Sequence, residues 1–412
     1  MNFTQQIPFH IMAKPIGPIC NLSCKYCFYL EKQHLFPDNE KYKMPDKILE
    51  TFVKSYIETN PANEVNFAWQ GGEPTLMGID FFRKAVELQN KYSNGKKISN
   101  AFQTNGILLD DEWCDFLSKN HFLVGISIDG PPEINDAFRV DKKGNPTTEI
   151  VVMAIEKMKN SGVTFNSLSC VNRLSGSNPL KVYNFLKSIG VDFMQFIPIV
   201  ERLPDVEANK LGIELAVPPE LDEEPEASEV TKWSVQPRQY GNFLNSIFDE
   251  WIKQDVGKIF VQIFDVALSA WVGYSPGLCS FAPRCGNALI LEHNGDIYAC
   301  DHFMYPKYNR GNILEKSLEQ IVFSPEQIKF GNDKFNALPD FCLKCSVRFV
   351  CNGGCPKQRF LKTKQGDPGL NYLCAGYKKF FKHIAPEMAE MTNLIQSGRP
   401  AADIIEKTQP TI

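Results

Sequence analysis

The stretch CNLSCKYCFY, from Cys20 to Tyr29, contains three cysteines in the spacing C-x3-C-x2-C. Structural zinc sites and cubane iron–sulfur clusters normally take four protein ligands. A set of three either borrows a ligand from elsewhere or leaves one metal position open, and an open position distinguishes a catalytic metal from a structural one. The rest of the sequence decides between these two interpretations.

Strand-like and helix-like patterns alternate through the first half of the chain. The strand-like apolar runs are FHIMAKPI, EVNFAWQ, NAFQTN, FLVGISID, FNSLSCVN and FMQFIPIV. Between them lie amphipathic helical patterns such as PDKILETFVKSYIE. Alternating strands and helices indicate a parallel sheet, and the alternation stops near residue 200 after about six units, fewer than the eight of a full barrel. We therefore predict an α/β fold with a partial (β/α)6 TIM-like barrel.

The three cysteines, Cys20, Cys24 and Cys27, lie on the loop after the first predicted strand. In barrels of this kind the loops at the carboxyl ends of the strands carry the chemistry. The position of the cysteine loop therefore favours a catalytic metal site with one open position.

The domain boundaries follow changes in composition. Residues 1–235 form the predicted barrel, and within them 201–230 is an acidic, proline-rich stretch that we expect to be a solvated surface insertion or linker. Residues 236–275 are predicted to form a helical linker. Residues 276–376 are cysteine-rich with few long regular elements, so we expect metal rather than apolar burial to hold them together. The last segment, 377–412, is predicted to be a C-terminal covering helix.

The composition excludes several classes of protein. The chain has 412 residues and a formal net charge of -4, which predicts no nucleic-acid partner. It shows no apolar stretch of membrane-span length and no signal-peptide pattern, so we expect no membrane association and a cytoplasmic location. Thiols stay reduced in the cytoplasm, and the 13 cysteines therefore indicate metal binding rather than disulfides.

Eight further cysteines lie in the second half of the chain, enough for two complete four-ligand sets: Cys279, Cys285, Cys300, Cys342, Cys345, Cys351, Cys355 and Cys374. Thiolates suit zinc or iron–sulfur clusters. The C-x2-C pair at Cys342 and Cys345 is also a common zinc pattern, and spacing alone does not sort the eight into sets. The remaining two, Cys114 and Cys170, fall within a predicted helix and strand and are expected to be small buried apolar residues.

The segment GGEP directly follows the second predicted strand, at the same barrel edge as the cysteine loop. Gly71 and Gly72 allow close approach of the backbone to a ligand. Glu73 offers a carboxylate that could accept a hydrogen bond from an amino group. A plain turn is the alternative, and the shared edge favours ligand binding.

Three more residues lie at this edge. Ser127 ends the fourth predicted strand, in GISIDG, and Arg139 lies just beyond it. Tyr26 lies inside the cysteine loop, where its ring could pack on an adenine base. Simple packing of the loop is the alternative for Tyr26.

The three-cysteine loop with an aromatic residue before its last cysteine, followed by a GGE segment, resembles the radical S-adenosylmethionine (SAM) enzymes. This resemblance implies that the trio holds a 4Fe–4S cluster whose open iron binds SAM, and that cleavage of SAM gives a 5′-deoxyadenosyl radical. The second half, with C-x5-C-x14-C and then C-x2-C-x5-C-x3-C-x18-C, resembles the SPASM extension. That extension implies two auxiliary 4Fe–4S clusters, three clusters in all.

Within this group the chain is most similar to the anaerobic sulfatase-maturating enzymes. The stretches that carry this similarity are CNLSCKYCFYL, FAWQGGEPTL, FQTNG, GISIDGP, FIPIVE, YACDHF and CSVRFVCNGGCPK. The resemblance implies a first auxiliary set formed by Cys279, Cys285, Cys300 and Cys355. It implies a second set formed by Cys342, Cys345, Cys351 and Cys374. It also implies SAM contacts at Tyr26, Gly72, Ser127, Arg139 and Val200, to which the ligand-binding interpretation of GGEP adds Gly71 and Glu73.

The resemblance further implies oxidation of a Cys or Ser side chain of a sulfatase to Cα-formylglycine. After a hydrogen atom leaves Cβ, the substrate must also lose a proton and a second electron. Asp301 would take the proton, and an auxiliary cluster would accept the electron. The alternative for Asp301 is a carboxylate that accepts a backbone hydrogen bond near Cys300. Tyr29 and Gln70 would face the substrate.

The implied partners are an unfolded sulfatase polypeptide and a flavodoxin- or ferredoxin-like reductant. One competing hypothesis is another SPASM peptide maturase that forms crosslinks in a ribosomal peptide. Such enzymes often carry an N-terminal peptide-recognition domain, and we expect none here because the trio begins at residue 20. The other is a zinc protein without enzymatic activity, which iron content would distinguish.

Overall fold

The computed structural model describes residues 7–227 and 229–408. Its strands are β1 His10–Lys14, β2 Glu64–Trp69, β3 Lys97–Thr104, β4 Leu123–Ser127, β5 Thr164–Val171, β6 Phe193–Pro198, β7 Phe260–Val261, β8 Ala288–Glu292, β9 Asp296–Tyr298 and β10 Asn309–Asn312. They form one sheet with the order β10-β9-β8-β1-β2-β3-β4-β5-β6-β7. The strands from β8 through β7 are parallel, whereas β9 and β10 are antiparallel. The six predicted strands correspond to β1–β6, which confirms the partial barrel.

The helices are α1 Asp46–Thr59, α2 Ile79–Tyr92, α3 Asp111–Lys119, α4 Pro132–Asn135, α5 Thr148–Asn160, α6 Pro179–Ser188, α7 Val206–Leu211, α8 Pro237–Gln254, α9 Gln262–Val272, α10 Leu318–Val322, α11 Pro325–Asn336, α12 Asp340–Leu343, α13 Arg348–Cys351, α14 Cys374–His383, α15 Ala385–Gln396 and α16 Ile404–Thr408. None of the helices in the described part of the chain is long and apolar enough to cross a membrane.

The main core lies between the sheet and the helices that connect its strands. Helix α1 illustrates this packing. One of its faces carries six apolar or aromatic residues that are all buried, Ile48, Leu49, Phe52, Val53, Tyr56 and Ile57. The ring of Phe52 lies 5.4 Å from that of Phe67 on β2. Each such side chain contributes about 1.5–3 kcal/mol when fully buried. The connecting helices thus cover one face of the sheet and leave the carboxyl ends of the strands to their loops.

The sheet continues into the cysteine-rich segment, contrary to the expectation that metal alone orders it. Strand β8 pairs with β1 over five residues, and Leu289, Ile290 and Leu291 are at most 1% exposed. The run ALILE is a short, continuously apolar strand of the kind found in buried parallel sheets. The hairpin β9–β10 then leads towards Cys300 and back. Apolar burial therefore fixes one side of this segment.

The acidic stretch is not simply a solvated insertion. Ala208, Ile213 and Val217 are buried in a small cluster with Phe303 and Tyr305, which lie just beyond Cys300. The acidic residues also have buried partners, since Arg202 pairs with Asp205 and Asp222. Sequence composition missed this packing because the few apolar residues are separated by carboxylates.

The C-terminal segment forms two packed helices, α14 and α15, rather than one covering helix. The helical pattern breaks at Ile384, and Pro386 occupies the first turn of α15. Proline lacks the N–H that would continue the ladder of helix α14, and its ring clashes with the preceding turn. The short helix α16 follows near the end of the described residues.

Candidate active site

The three cysteines of CNLSCKYC lie on the loop that follows β1, and their thiols lie close enough to interact electrostatically. The sulfur of Cys20 accepts hydrogen bonds from the backbone N–H of Leu22 at 3.4 Å and from the side-chain amide of Asn105 at 3.7 Å. Asn105 comes from the FQTNG segment after β3. Two loops at the carboxyl ends of the strands therefore position the trio.

Burial raises the pKa of Cys20 to about 11 and that of Cys24 to about 12. As free thiols they would stay protonated at neutral pH, whereas thiolates are the metal-ligating form. A bound cationic metal centre displaces these protons and stabilises the thiolates. The chemistry of this trio thus fits a metal cluster.

The GGE segment lies directly against the cysteine loop. The N–H of Gly72 donates to the carbonyl of Gly17 at 2.7 Å, and that of Glu73 donates to Ile19 at 2.9 Å. A Cβ atom on Gly72 would lie 1.9 Å from the Ile19 carbonyl oxygen, so no other residue fits there. Gly71 has φ of +127°, a conformation that favours glycine. The glycines are required for the contact between the two loops.

Glu73 does not present its carboxylate as the sequence suggested. It is 1% exposed and accepts hydrogen bonds from the N–H and hydroxyl of Thr75, the hydroxyl of Thr104 and the N–H of Asn105, at 2.7–3.0 Å. These donors engage both oxygens. Glu73 therefore ties the GGE segment to the end of β3 instead of facing an amino group of a ligand.

Tyr26 and Arg139 meet at Asp129, a residue that the sequence analysis did not select. The Tyr26 hydroxyl donates to one oxygen of Asp129, and Arg139 Nε lies 3.1 Å from the other. The Tyr26 ring is 5% exposed and packs 5.7 Å from that of Phe138. This environment supports loop packing for the Tyr26 side chain. The third predicted neighbour, Ser127, lies buried at the end of β4.

The two leftover cysteines are not part of the trio. Cys114 is fully buried in α3, as expected of an apolar residue. Cys170 lies on β5, where its sulfur accepts a hydrogen bond from Arg139 at 3.6 Å. Val200 follows β6 and is buried.

Asp301 forms an ion pair with Lys14, the last residue of β1. Lys14 is buried, and its Nζ also lies 3.4 Å from the centroid of the Tyr29 ring. The Tyr29 hydroxyl donates to Glu292, the last residue of β8, at 2.6 Å. Asp301 keeps 23% of its side chain exposed and is therefore accessible to a substrate.

The surroundings of Asp301 keep it ionised. Burial raises the pKa of Asp301, but the charges of Lys14, His302 and Lys357 outweigh burial and bring the pKa below its ordinary value. The carboxylate is thus ready to accept a proton at neutral pH. Its partner is the ammonium group of Lys14 on β1, which disfavours a role limited to a local backbone hydrogen bond.

Gln70 carries an unused acceptor. It directly follows β2, and its amide nitrogen donates to Gln103 on β3 at 2.6 Å. Its oxygen is buried and has no hydrogen-bond partner among the described residues. A buried polar atom without a partner costs about 1–3 kcal/mol. This oxygen therefore offers a place for a donor of a bound molecule.

The structure brings the second-half cysteines together in two groups of interacting thiols. One group contains Cys279, Cys285, Cys300 and Cys355. The other contains Cys342, Cys345, Cys351 and Cys374, which line a single small cavity. These are the sets that the family resemblance implies, and four thiols each suit a fully ligated 4Fe–4S cluster. Within the described residues no group of three or more His, Cys, Asp or Glu is placed to hold a single metal ion.

Sequence reasoning missed Lys14, Asp129, Glu292 and Gln103. The first three share a signal, since each is a charged residue at the carboxyl end of an apolar strand run, HIMAK, LVGISID and ALILE. The carboxyl ends of parallel strands meet at one edge of the sheet, where sites form. Gln103 is uncharged, so this sequence pattern does not identify it.

Two family models match the chain. Residues 15–185 match the radical SAM superfamily, and residues 279–346 match SPASM, an iron-sulfur cluster-binding domain. A serine-type anaerobic sulfatase-maturating enzyme of Bacteroides thetaiotaomicron is 45% identical over 97% of this chain and 95% of its own. A cysteine-type anaerobic sulfatase-maturating enzyme of Clostridium perfringens is 34% identical over 94% of this chain and 100% of its own.

Solved structures agree with these relatives. Native anSMEcpe with bound AdoMet and Cp18Cys peptide has a TM-score of 0.81 and 31% identity, covering 94% of this chain and 99% of that one. Streptococcus suis SuiB bound to precursor peptide SuiA has a TM-score of 0.60 at 14% identity, covering 90% and 76%, and shares the fold alone. The chain belongs to the anaerobic sulfatase-maturating enzymes, radical SAM oxidoreductases with SAM and 4Fe–4S clusters as cofactors.

Proposed function

We propose that this enzyme converts a Cys or Ser residue of a sulfatase polypeptide to Cα-formylglycine, with Asp301 as the proton acceptor. The observation that carries the assignment of Asp301 is its ion pair with buried Lys14 at an accessible position directly after Cys300. Relatives along nearly the whole chain bear the name of sulfatase-maturating enzymes, which supports the reaction.

The cofactors have defined places in this proposal. Cys20, Cys24 and Cys27 hold the first cluster, and the backbone of Gly71 and Gly72 with Ser127, Arg139, Val200 and the Tyr26 loop forms the SAM site. When bound, these groups supply the 5′-deoxyadenosyl radical that removes a Cβ hydrogen, and the two auxiliary clusters supply an electron acceptor.

Asp301 then performs the protein's own step. The thiol or hydroxyl proton of the substrate passes to a carboxylate oxygen of Asp301 as the carbon–heteroatom double bond forms and the second electron leaves the carbon radical. A Ser substrate gives the aldehyde directly, whereas a Cys substrate gives a thioaldehyde that water converts to the aldehyde with release of hydrogen sulfide. Lys14 holds the carboxylate ionised and oriented before the substrate arrives. Protonation of Asp301 weakens the ion pair, and Lys14 keeps its contact with the Tyr29 ring.

The substrate side lies beside these groups. Tyr29 is fixed between Lys14 and Glu292, and the free oxygen of Gln70 accepts from a peptide N–H or from the target side chain. The binding of a peptide in the anSMEcpe structure supports a peptide substrate for this chain. An unfolded sulfatase client, a flavodoxin- or ferredoxin-like reductant and a cytoplasmic location stay predictions from the sequence.

A crosslinking peptide maturase is the second candidate. SuiB, whose structure contains a precursor peptide, shares only the fold with this chain. The 45% and 34% identities to sulfatase-maturating enzymes favour formylglycine formation.

An anaerobic reaction with SAM, a reductant and two sulfatase-sequence peptides, one with Cys and one with Ser at the target position, tests the proposal. Mass spectrometry is expected to show an aldehyde at the target residue of at least one peptide. Cleavage of SAM with both peptides unchanged would reject sulfatase maturation and favour the second candidate.

A further inference from the structure

Two buried cations lie beside the auxiliary cysteines, and the proposed reaction uses neither. Arg359 is 7% exposed and Lys334, on α11, is 1% exposed. Neither forms an ion pair with a carboxylate among the described residues. Because a buried charge is costly unless an opposite charge compensates it, these cations indicate anionic groups nearby.

Arg359 holds the shortest loop between the two auxiliary sets. Its guanidinium donates to the carbonyls of Asn352, Gly353 and Gly354 at 2.9–3.2 Å. These three residues have φ of 43°, 73° and 64°, an uncommon left-handed run. They separate Cys351 of the second set from Cys355 of the first in the CNGGC segment. One side chain thus fixes the shortest of the three chain segments that connect a ligand of one set to a ligand of the other.

The charge of Arg359 reaches both sets. It interacts electrostatically with Cys355 and Cys285 of the first set and with Cys342 and Cys351 of the second. Lys334 interacts instead with Cys285, Cys355 and Cys279, all of the first set. Its ammonium group donates to the carbonyls of Cys279 and Ser280 at 2.5 and 2.9 Å.

The two cations are linked to each other and share a cavity with three carboxylates, Glu220, Glu326 and Asp333. Arg359 donates to the carbonyl of Lys334 at 2.6 Å. Both line a cavity of about 650 Å³, and Glu220 of the acidic stretch lines it too. Glu220 interacts electrostatically with Arg359 and with Cys285 of the first set. The acidic stretch therefore adds one negative charge near the first set.

We propose that Arg359 stabilises the reduced state of both auxiliary clusters, whereas Lys334 and Glu220 adjust the first cluster alone and in opposite directions. This inference rests on the two ligand sets of the proposed function. One-electron reduction adds a negative charge to a cluster, so a nearby buried cation raises its reduction potential and a carboxylate lowers it. Arg359 and Lys334 act here as positioning and electrostatic residues.

The test measures two midpoint potentials by redox titration monitored by electron paramagnetic resonance. It uses the full chain with Ala at Cys20, Cys24 and Cys27, so that both auxiliary clusters are loaded and the first cluster is absent. Arg359→Met is expected to lower both midpoints. Lys334→Met is expected to lower one midpoint, and Glu220→Gln is expected to raise that same one.

Arg348→Met is the matched control, because Arg348 lies between Cys345 and Cys351 but is exposed. Solvent screens its charge, so its removal is expected to change either midpoint less than Arg359→Met does. The inference would be overturned if loaded Arg359→Met showed unchanged midpoints or a change in only one of them. It would also be overturned if Lys334→Met raised its midpoint, if Glu220→Gln lowered its midpoint, or if the two variants shifted different midpoints.

If Arg359→Met does not load its clusters, Arg359→Gln and Arg359→Lys show whether loading requires the positive charge at this position. Loading of the Lys variant alone, with both midpoints near those of the parent, supports a requirement for the charge. Failure of all three variants assigns Arg359 a purely structural role and overturns the inference. The assay contains neither SAM nor peptide, so absence of formylglycine formation leaves its outcome unaffected.

Discussion

Lys14 and Asp301 form an ion pair across 287 positions of sequence, between the end of the first strand and the residue after Cys300, a proposed ligand of an auxiliary cluster. The pair joins the barrel to the cysteine-rich segment at the point where we propose that the substrate reacts. It exists because β8 lies beside β1 and carries the following hairpin to the same edge of the sheet. The position of the proposed base therefore depends on the sheet as well as on the cluster.

Replacement of Lys14 by Met is expected to shift the pH dependence of aldehyde formation. Lys14 lowers the pKa of Asp301, so its removal raises that pKa. The reaction needs the carboxylate, and the acid limb of the rate profile therefore moves to higher pH. Rates of aldehyde formation across a pH series measure the shift. Lys32→Met, which also removes a buried ammonium group stacked on a tyrosine ring, is the control and is expected to leave the limb in place.

Replacement of any one of Cys20, Cys24 or Cys27 by Ala is expected to abolish cleavage of SAM and to lower bound iron by one cluster. A three-cysteine site has no spare ligand, so loss of one cysteine is expected to release the cluster. A buried apolar cysteine binds no metal, so its loss is expected to release none. Cys114→Ala is the matched control and is expected to keep full iron content and SAM cleavage, at a stability cost of about 1 kcal/mol. Iron analysis with quantified 5′-deoxyadenosine distinguishes the two cases. Undiminished SAM cleavage by a trio variant would contradict the assignment.

Gly72→Ala is expected to destabilise the protein by about 1–3 kcal/mol or more and to weaken SAM binding. Its added methyl group would collide with the Ile19 carbonyl, which belongs to the cysteine loop. Gly277→Ala is the control, since no atom lies within 4 Å of its added Cβ. Thermal unfolding and equilibrium binding of SAM check both effects. Equal melting temperatures and SAM affinities for the two variants would exclude the close contact.

Gln70→Leu is expected to raise the KM for the peptide about tenfold, because one hydrogen bond in a buried site contributes about 1–1.5 kcal/mol. Its amide oxygen is the buried acceptor without a partner. Gln89→Leu removes a buried amide whose side-chain partner among the residues that the structure describes is Asn100, and it is expected to leave this KM unchanged. Steady-state kinetics of both variants provide the comparison. A peptide KM equal to that of the wild type in Gln70→Leu removes Gln70 from the substrate site.

Local patterns were sufficient to predict the barrel and to select the candidate cluster ligands, whereas the division of the eight later cysteines into two sets came only from the family resemblance. Strands β1–β6 alternate with amphipathic helices, and cysteine spacing is a local property of the chain. The Lys14–Asp301 pair was not predictable, because pairing of β8 with β1 joins segments far apart in sequence. Glu73 was misjudged for a similar reason, since its donors Thr104 and Asn105 come from the end of the neighbouring strand. Long-range pairing, rather than local propensity, decides which polar side chains stay free for ligands.

The most direct test of Asp301 as the proton acceptor is a single anaerobic reaction of Asp301→Asn in which 5′-deoxyadenosine and peptide aldehyde are quantified together. SAM cleavage is expected to proceed at close to the wild-type rate, while aldehyde formation falls by about 10²–10⁴-fold, the usual contribution of a general base. Aldehyde formation at the wild-type rate in this variant would show that Asp301 is not the base.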